Sequence, residues 1–200
     1  MINYQNTRFI VSVPNINYLP INNDDSIEVA LIGRSNSGKS SLLNKITNQN
    51  HLARVSKTPG CTKLINLFEI TQNKYLVDLP GYGYAKTSKK NITKWNDIIF
   101  EYIKKNRHLK GLILLMDIRY TVNNFDKKII KLTKKQNISL FILLTKADKC
   151  NFSEQKTKLN ITKTALSKFM VDFEFEIEIF SSLKNINIDK IYQRLNLWFN

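Results

Sequence analysis

Gly33-Arg34-Ser35-Asn36-Ser37-Gly38-Lys39-Ser40 is the stretch from which the fold can be read. It fits G-x-x-x-x-G-K-[ST], the pattern of a phosphate-binding loop. Its flanks agree. Ile27-Glu28-Val29-Ala30-Leu31-Ile32 reads as a buried strand, and Ser41-Leu42-Leu43-Asn44-Lys45-Ile46 reads as the helix that follows. Glycines let the backbone bend tightly and approach a ligand closely. Successive N–H groups at a helix N-terminus then face an anion. Lys39 is placed to reach β- and γ-phosphates, and the Ser40 hydroxyl to ligate Mg²⁺.

Outward from the loop, strands alternate with helices. Strands are expected over Leu64 to Ile70, Tyr75 to Val77, Gly111 to Met116, Ile138 to Leu144 and Glu176 to Phe180. Ile92, Trp95, Ile98, Ile99 and Tyr102 keep helical spacing. So do Phe125, Ile129 and Leu132, then Leu159, Thr162, Leu166 and Phe169, and finally Ile188, Ile191, Tyr192, Leu195, Trp198 and Phe199. The expected class is α/β, a mostly parallel six-stranded sheet with helices on both faces. Residues 1–25, with Phe9-Ile10-Val11, Pro14 and Pro20, read as an extended segment and loop packed against a single domain over 26–200. Residues 50–63 read as a polar loop, and Tyr82 to Lys90 as a basic, flexible run.

The 200 residues are 42% hydrophobic and 24% charged, as in an ordinary globular chain. The net charge of +15 is not ordinary. It points to a polyanionic partner, nucleic acid before membrane. The codon usage of an AT-rich genome, which favours Asn, Ile and Lys, is the competing account. Cys61 and Cys150 lack metal-ligand spacing and suggest a reduced, cytoplasmic compartment. No signal peptide or membrane span is expected.

Three further motifs follow in order, each at the C-terminal end of an expected strand, where open α/β sheets bind ligands. Asp78-Leu79-Pro80-Gly81 fits D-x-x-G. Asp78 would hold Mg²⁺ through a water, and the Gly81 N–H would sense a γ-phosphate. Thr145-Lys146-Ala147-Asp148 fits [NT]-K-x-D. The Asp148 carboxylate can accept from N1–H and the exocyclic amine of guanine, which adenine cannot offer. Lys146 would lay its stem over the base. Phe180-Ser181-Ser182 ends the last strand, where backbone N–H groups could meet guanine O6. Thr62 is the candidate switch threonine, completing the Mg²⁺ shell while Gly60, Cys61, Lys63 and Leu64 close over the nucleotide. A plain surface-loop threonine is its alternative.

These motifs, with Thr58-Pro59-Gly60-Cys61-Thr62 and the string Asp78-Leu79-Pro80-Gly81-Tyr82-Gly83-Tyr84-Ala85-Lys86, closely resemble the EngB (YihA/YsxC) family of bacterial GTPases. That family lies within the TrmE-Era-EngA-YihA-septin-like superfamily. Asp117, Arg119 and Asp126 resemble its middle segment. The resemblance runs from about Phe9 to the end. It implies a Ras-like P-loop GTPase fold, GTP and GDP as ligands, Mg²⁺, large ribosomal subunit assembly, and a need for the protein in division and septation. Cys61 departs from the basic residue usual there. Related families with Asn at the position of Asn36 imply a K⁺ ion beside the phosphates; a loop-shaping Asn is the alternative.

Tyr82 stands where many small GTPases carry the Gln that orients water, so slow hydrolysis and an accelerating partner are expected. The catalytic candidates are thus Lys39, Asn36 and Thr62. Basic residues after the second switch (Lys86, Lys89, Lys90, Lys94), after the next helix (Lys104, Lys105, Arg107, Lys110) and on the one after it (Lys127, Lys128, Lys131, Lys134, Lys135) would face rRNA. A monomeric ribosome-assembly GTPase is the leading reading. A regulatory GTPase acting on a division protein shares every motif. A kinase is disfavoured, since no lid or acceptor site is visible.

Overall fold

The computed structural model describes residues 2–21, 23–53, 64–83, 89–167, 173 and 175–200, with side chains of 89–92 set aside. Among the described residues, seven strands form one sheet. They are β1 (Arg8–Val13), β2 (Ile27–Gly33), β3 (Ile65–Thr71), β4 (Lys74–Asp78), β5 (Leu109–Asp117), β6 (Ser139–Thr145) and β7 (Phe175–Ile179). The helices are α1 (Lys39–Thr47), α2 (Lys89–Lys105), α3 (Asn124–Lys135), α4 (Phe152–Ser167) and α5 (Ile188–Phe199). The sheet order is β1-β3-β4-β2-β5-β6-β7. The pairs from β4 through β2, β5 and β6 to β7 are parallel, while β3 runs antiparallel to both of its neighbours.

The central strands are continuous apolar runs because both their faces are covered. Side chains alternate across the sheet. On one face Ala30, Ile32, Leu112, Leu114, Leu140 and Ile142 meet Ile99, Tyr102, Ile129 and Leu166 from α2, α3 and α4. On the other face Val29, Leu31, Ile113, Leu115 and Phe141 meet Leu42, Leu43, Ile46, Ile191, Leu195 and Trp198 from α1 and α5. The two ends of the chain close this second layer. The Tyr4 hydroxyl donates to Asn196 Oδ1 at 2.8 Å. Trp198 lies so close over Gly111 that a Cβ there would stand 2.4 Å from the indole.

The sheet therefore has seven strands where the sequence suggested six. The extra one is β1, an edge strand paired to β3 with an irregular register between Phe9 and Val11. Phe9 and Ile10 stay exposed, so β1 lacks the alternation that marks a half-buried strand. A second difference concerns Tyr82, expected to open a flexible run but buried in the core at 2% exposure. The helix after that run also starts earlier, at Lys89. None of the described helices is long and apolar enough to cross a membrane.

Candidate functional site

The phosphate-loop pattern sits between β2 and α1, as its spacing requires. Gly38 caps α1 with φ of 101°, a conformation open to glycine, and Asn36 takes φ of 62°, which Asn tolerates. The loop is tied down by three hydrogen bonds from two neighbouring segments. Ser35 N–H donates to the Tyr82 carbonyl at 2.9 Å, and Tyr82 N–H to the Gly33 carbonyl at 3.3 Å. The Thr145 hydroxyl reaches across from β6 to the Ser37 carbonyl at 2.7 Å. The loop is thus braced by the segments that carry the two neighbouring motifs.

Lys39 and Asp78 are both buried beneath the loop. Burial pulls the Lys39 ammonium below its usual pKa, against the attraction of Asp78. Burial pushes the Asp78 carboxyl up, against the pull of Lys39 and a hydrogen bond with Asn66. Asp78 Oδ1 has no partner among the described residues. Gly81 lies over this pair, with Lys39 Nζ 3.2 Å from where its Cβ would be. A side chain at Gly81 would crowd the ammonium. An orphaned carboxylate oxygen near a helix that opens Lys39-Ser40 is a donor set suited to Mg²⁺, which favours one or two protein oxygens together with waters and phosphates. Asn66 carries no motif, and only the β3–β4 register, which sets Asn66 opposite Asp78, brings it here.

The second half of the site lies at the ends of β6 and β7. The Ser181 hydroxyl donates to Asp148 Oδ1 at 2.6 Å. That bond is the main reason the Asp148 carboxyl is held below its usual pKa. Ala147 N–H donates to the Phe180 carbonyl at 3.1 Å, joining the two motifs through backbone. Phe180 and Ser181 are buried, and Ser182 is half-buried. Lys146 adopts φ of 60°, costly for a residue with a long side chain and the kind of strain that collects at functional sites. Its ammonium lies 3.0 Å from Asp117 Oδ2.

Asp117 is a hub that the motifs did not single out for a role. Arg119 grips it with two bonds, Nε at 2.9 Å and Nη2 at 2.7 Å. Burial raises the Asp117 carboxyl, but the hydrogen bonds of Arg119 and Lys146 outweigh it and hold it at about 2. A cavity of about 400 Å³ opens beside these groups, its lining including Arg34, Ser35, Asn36, Asp117, Arg119, Tyr120 and Lys146. The sheet thus brings together Gly33–Ser40, Asp78–Gly81, Thr145–Asp148 and Phe180–Ser182 along one edge. Leu79 and Pro80 are buried there, and Leu64 is exposed just before β3. Gly60, Cys61, Thr62 and Lys63 lie outside the described residues, as do Ala85 and Lys86.

A phosphate loop, a D-x-x-G segment and a [NT]-K-x-D segment on adjacent strands of such a sheet define a P-loop GTPase, and the chain has that fold. Residues 28–146 match the family model described as 50S ribosome-binding GTPase. The chain is 49% identical over 199 residues to the probable GTP-binding protein EngB of Escherichia coli O157:H7 (strain EC4115 / EHEC), covering 100% of this chain and 93% of that one. It is equally similar, with the same coverage, to the EngB of Salmonella paratyphi C (strain RKS4594). Among solved structures, a probable GTP-binding protein EngB aligns with a TM-score of 0.66 at 21% identity, over 86% of this chain and 98% of that one. Era in complex with MgGDPNP and nucleotides 1506–1542 of 16S ribosomal RNA aligns at 0.65 and 20%, over 86% and 56%. The two solved structures speak to the fold. The chain belongs to the EngB family of GTP-binding proteins, and it is a GTPase.

Proposed function

We propose that this GTPase is a nucleotide-gated switch in large ribosomal subunit assembly, acting in the cytoplasm as a monomer and needed for normal division and septation. The observation that carries the reading is the tie between the D-x-x-G segment and a lysine-rich helix. The Tyr82 hydroxyl donates to Asp126 at the start of α3, while the Tyr82 backbone bonds to the phosphate loop. A change of nucleotide that moves Gly81 and Tyr82 would therefore act on a helix carrying Lys127, Lys128, Lys131, Lys134 and Lys135. The net charge of +15 and the description of the matched family model support an RNA-rich partner. In this reading residues 26–200 form the G domain, and residues 1–25 pack onto it.

The backbone of Gly33 to Ser40 cradles the phosphates, with the Lys39 ammonium on the β- and γ-phosphates. Ser40 and Thr62 would hold Mg²⁺, and Asp78 would hold it through a water. When bound, that ion neutralises charge on the β- and γ-oxygens. Asp148, kept ionised by Ser181, selects guanine, and Lys146 covers the base. The N–H groups after Phe180 meet guanine O6. Gly60, Cys61, Thr62, Lys63 and Leu64 would contact the γ-phosphate side of the nucleotide, and Gly81 would sense it.

The Tyr82 hydroxyl is spent on Asp126 and orients no attacking water. The isolated chain should therefore turn over on the order of 10⁻⁴ to 10⁻² s⁻¹, as unassisted GTPases do. Asn36, exposed at the tip of the loop, is the candidate K⁺ ligand. Faster turnover in KCl than in NaCl is expected, and equal rates would remove that role.

The deciding experiment is binding of purified 50S subunits with GDP and with a non-hydrolysable GTP analogue, at low and moderate salt. Tighter binding with the analogue, weakened by salt, is expected. Absence of binding in both states would remove the ribosome as a direct partner and bring a division protein forward.

A further inference from the structure

In the wall of the cavity beside the phosphate loop, an exposed aromatic ring stands among cations. Tyr120 follows β5 and is 58% exposed. The Arg34 guanidinium lies 5.8 Å from its ring centroid and that of Arg119 lies 5.6 Å away. The ring is held in a defined place. Tyr120 N–H donates to the Asp117 carbonyl at 3.0 Å, closing a turn. Arg119 is fixed by its paired bonds to the Asp117 carboxylate. The acidic groups nearby, Asp117 and Asp126, are both engaged, by Arg119 and Lys146 and by Tyr82 and Asn123. The outward surface is therefore positive.

That surface continues along α3, which begins four residues later. Its buried positions are Asp126, Ile129, Ile130 and Thr133. Asn124, Lys128, Lys131 and Lys135 are exposed and separated by four, three and four residues, so they form one row along the helix. At a rise of roughly 1.5 Å per residue, Lys128 to Lys135 spans about 10 Å. An aromatic ring beside guanidinium groups, leading into a line of ammonium groups, is the arrangement that takes an unpaired base and its neighbouring phosphates. A paired base would keep its face in the stack and could not use the ring.

We propose that Tyr120, with Arg34 and Arg119, is a stacking platform for an unpaired RNA base, and that Lys128, Lys131 and Lys135 hold the adjoining phosphates. The proposal deepens the ribosome reading and rests on it for the source of the RNA. Arg34 belongs to both the platform and the phosphate loop. The RNA and the guanine nucleotide thus share one structural element.

The test uses the full chain loaded with GDP and Mg²⁺ and a fluorescein-labelled single-stranded adenosine dodecamer, with its duplex as comparison. Anisotropy is read at several salt concentrations. The single strand should bind more tightly than the duplex. Tyr120→Ala should weaken it about 5- to 150-fold, the range for loss of one base stack, and Tyr120→Trp should restore it. Replacing Lys128, Lys131 and Lys135 together by Gln should flatten the logarithmic salt dependence by about 2, at roughly 0.7 per phosphate on a single strand. Affinity for a fluorescent GDP analogue is measured in parallel. Unchanged RNA binding by Tyr120→Ala would overturn the platform. So would a loss that merely follows a loss of GDP affinity. Binding of 50S subunits separates the two levels. RNA binding that depends on Tyr120 without subunit binding would leave the platform standing and end the ribosome reading. Subunit binding with RNA affinity indifferent to Tyr120 would do the reverse.

Discussion

Glu28 stands at the beginning of β2, and Asp78 at the end of its parallel neighbour β4. Both carboxylates are buried, and burial raises both pKa values. Their company differs. Glu28 Oε2 accepts from the Tyr102 hydroxyl at 2.5 Å and from the Asn106 amide at 2.8 Å. Asp78 has Lys39 and Asn66 near it, yet leaves Oδ1 unpartnered among the described residues. An unpaired buried polar atom costs about 1–3 kcal/mol. At the edge away from the phosphate loop, the fold removes that cost with its own side chains. At the loop edge it leaves the cost standing, and the Mg²⁺ site proposed there would relieve it. How completely a buried group is satisfied separates support from function here, where burial and charge do not.

The comparison breaks first if Glu28 is dispensable. Glu28→Ala strands the Tyr102 hydroxyl and the Asn106 amide and opens a cavity, so urea denaturation should show a loss of about 2–4 kcal/mol. Glu28→Gln keeps an acceptor and should stay within about 1 kcal/mol of the parent. Asp78→Asn should do the opposite. Stability should hold or rise, while Mg²⁺ affinity of the nucleotide complex falls about 10- to 100-fold, as for other outer-sphere groups. A titration of Mg²⁺ against fluorescent nucleotide, run beside a melting curve, reads both. If Asp78→Asn unfolds the chain as Glu28→Ala does, the distinction fails.

Asp126 sharpens the contrast as a third buried carboxylate, fully engaged although it lies near the site. It accepts from Tyr82 and from Asn123 N–H, while Asn123 caps α3 in return. Tyr82→Phe should cost about 1 kcal/mol of stability and leave turnover by the isolated chain unchanged within twofold. A tenfold drop in kcat would return Tyr82 to the reaction.

The smallest expected effect is in pH. The Glu28 pKa is higher folded than unfolded, so its contribution to stability is complete below the unfolded value. It is lost as pH rises through the folded one. Relative to the parent, Glu28→Gln should therefore gain stability with rising pH across that window. Stability curves that stay parallel at all pH values would show that Glu28 ionises without penalty.

Much of this was legible in the sequence, for physical reasons. Gly38 and Lys39 sit where strand, loop and helix all demand them, and β5 and β6 announce themselves as apolar runs too long to be chance. What stayed hidden depends on partners distant in sequence. β1 is exposed on its outer side and irregular at Ile10, so its pattern resembles a coil. The direction of Tyr82 is set by Asp126, 44 positions away. Asn66 reaches Asp78 only through register, and Tyr102 reaches Glu28 only through the packing of α2 on the sheet. Local periodicity carries no trace of such pairings.

The clasp of Tyr4 with Asn196 and the seat of Trp198 on Gly111 also set a timetable. A chain is delivered N-terminal end first, at about 5–20 residues per second. The 192 positions between Tyr4 and Asn196 therefore take roughly 10–40 s to span at that pace. From the end of β5 at Asp117 to Trp198, 81 positions or roughly 4–16 s at that pace, one apolar face of β5 lacks the cover of α5. The final turn of α5 is the lock of the molecule. A ribosome that stalls just short of it releases a nearly whole sheet with an open flank, and such a product is a substrate for chaperones and proteases.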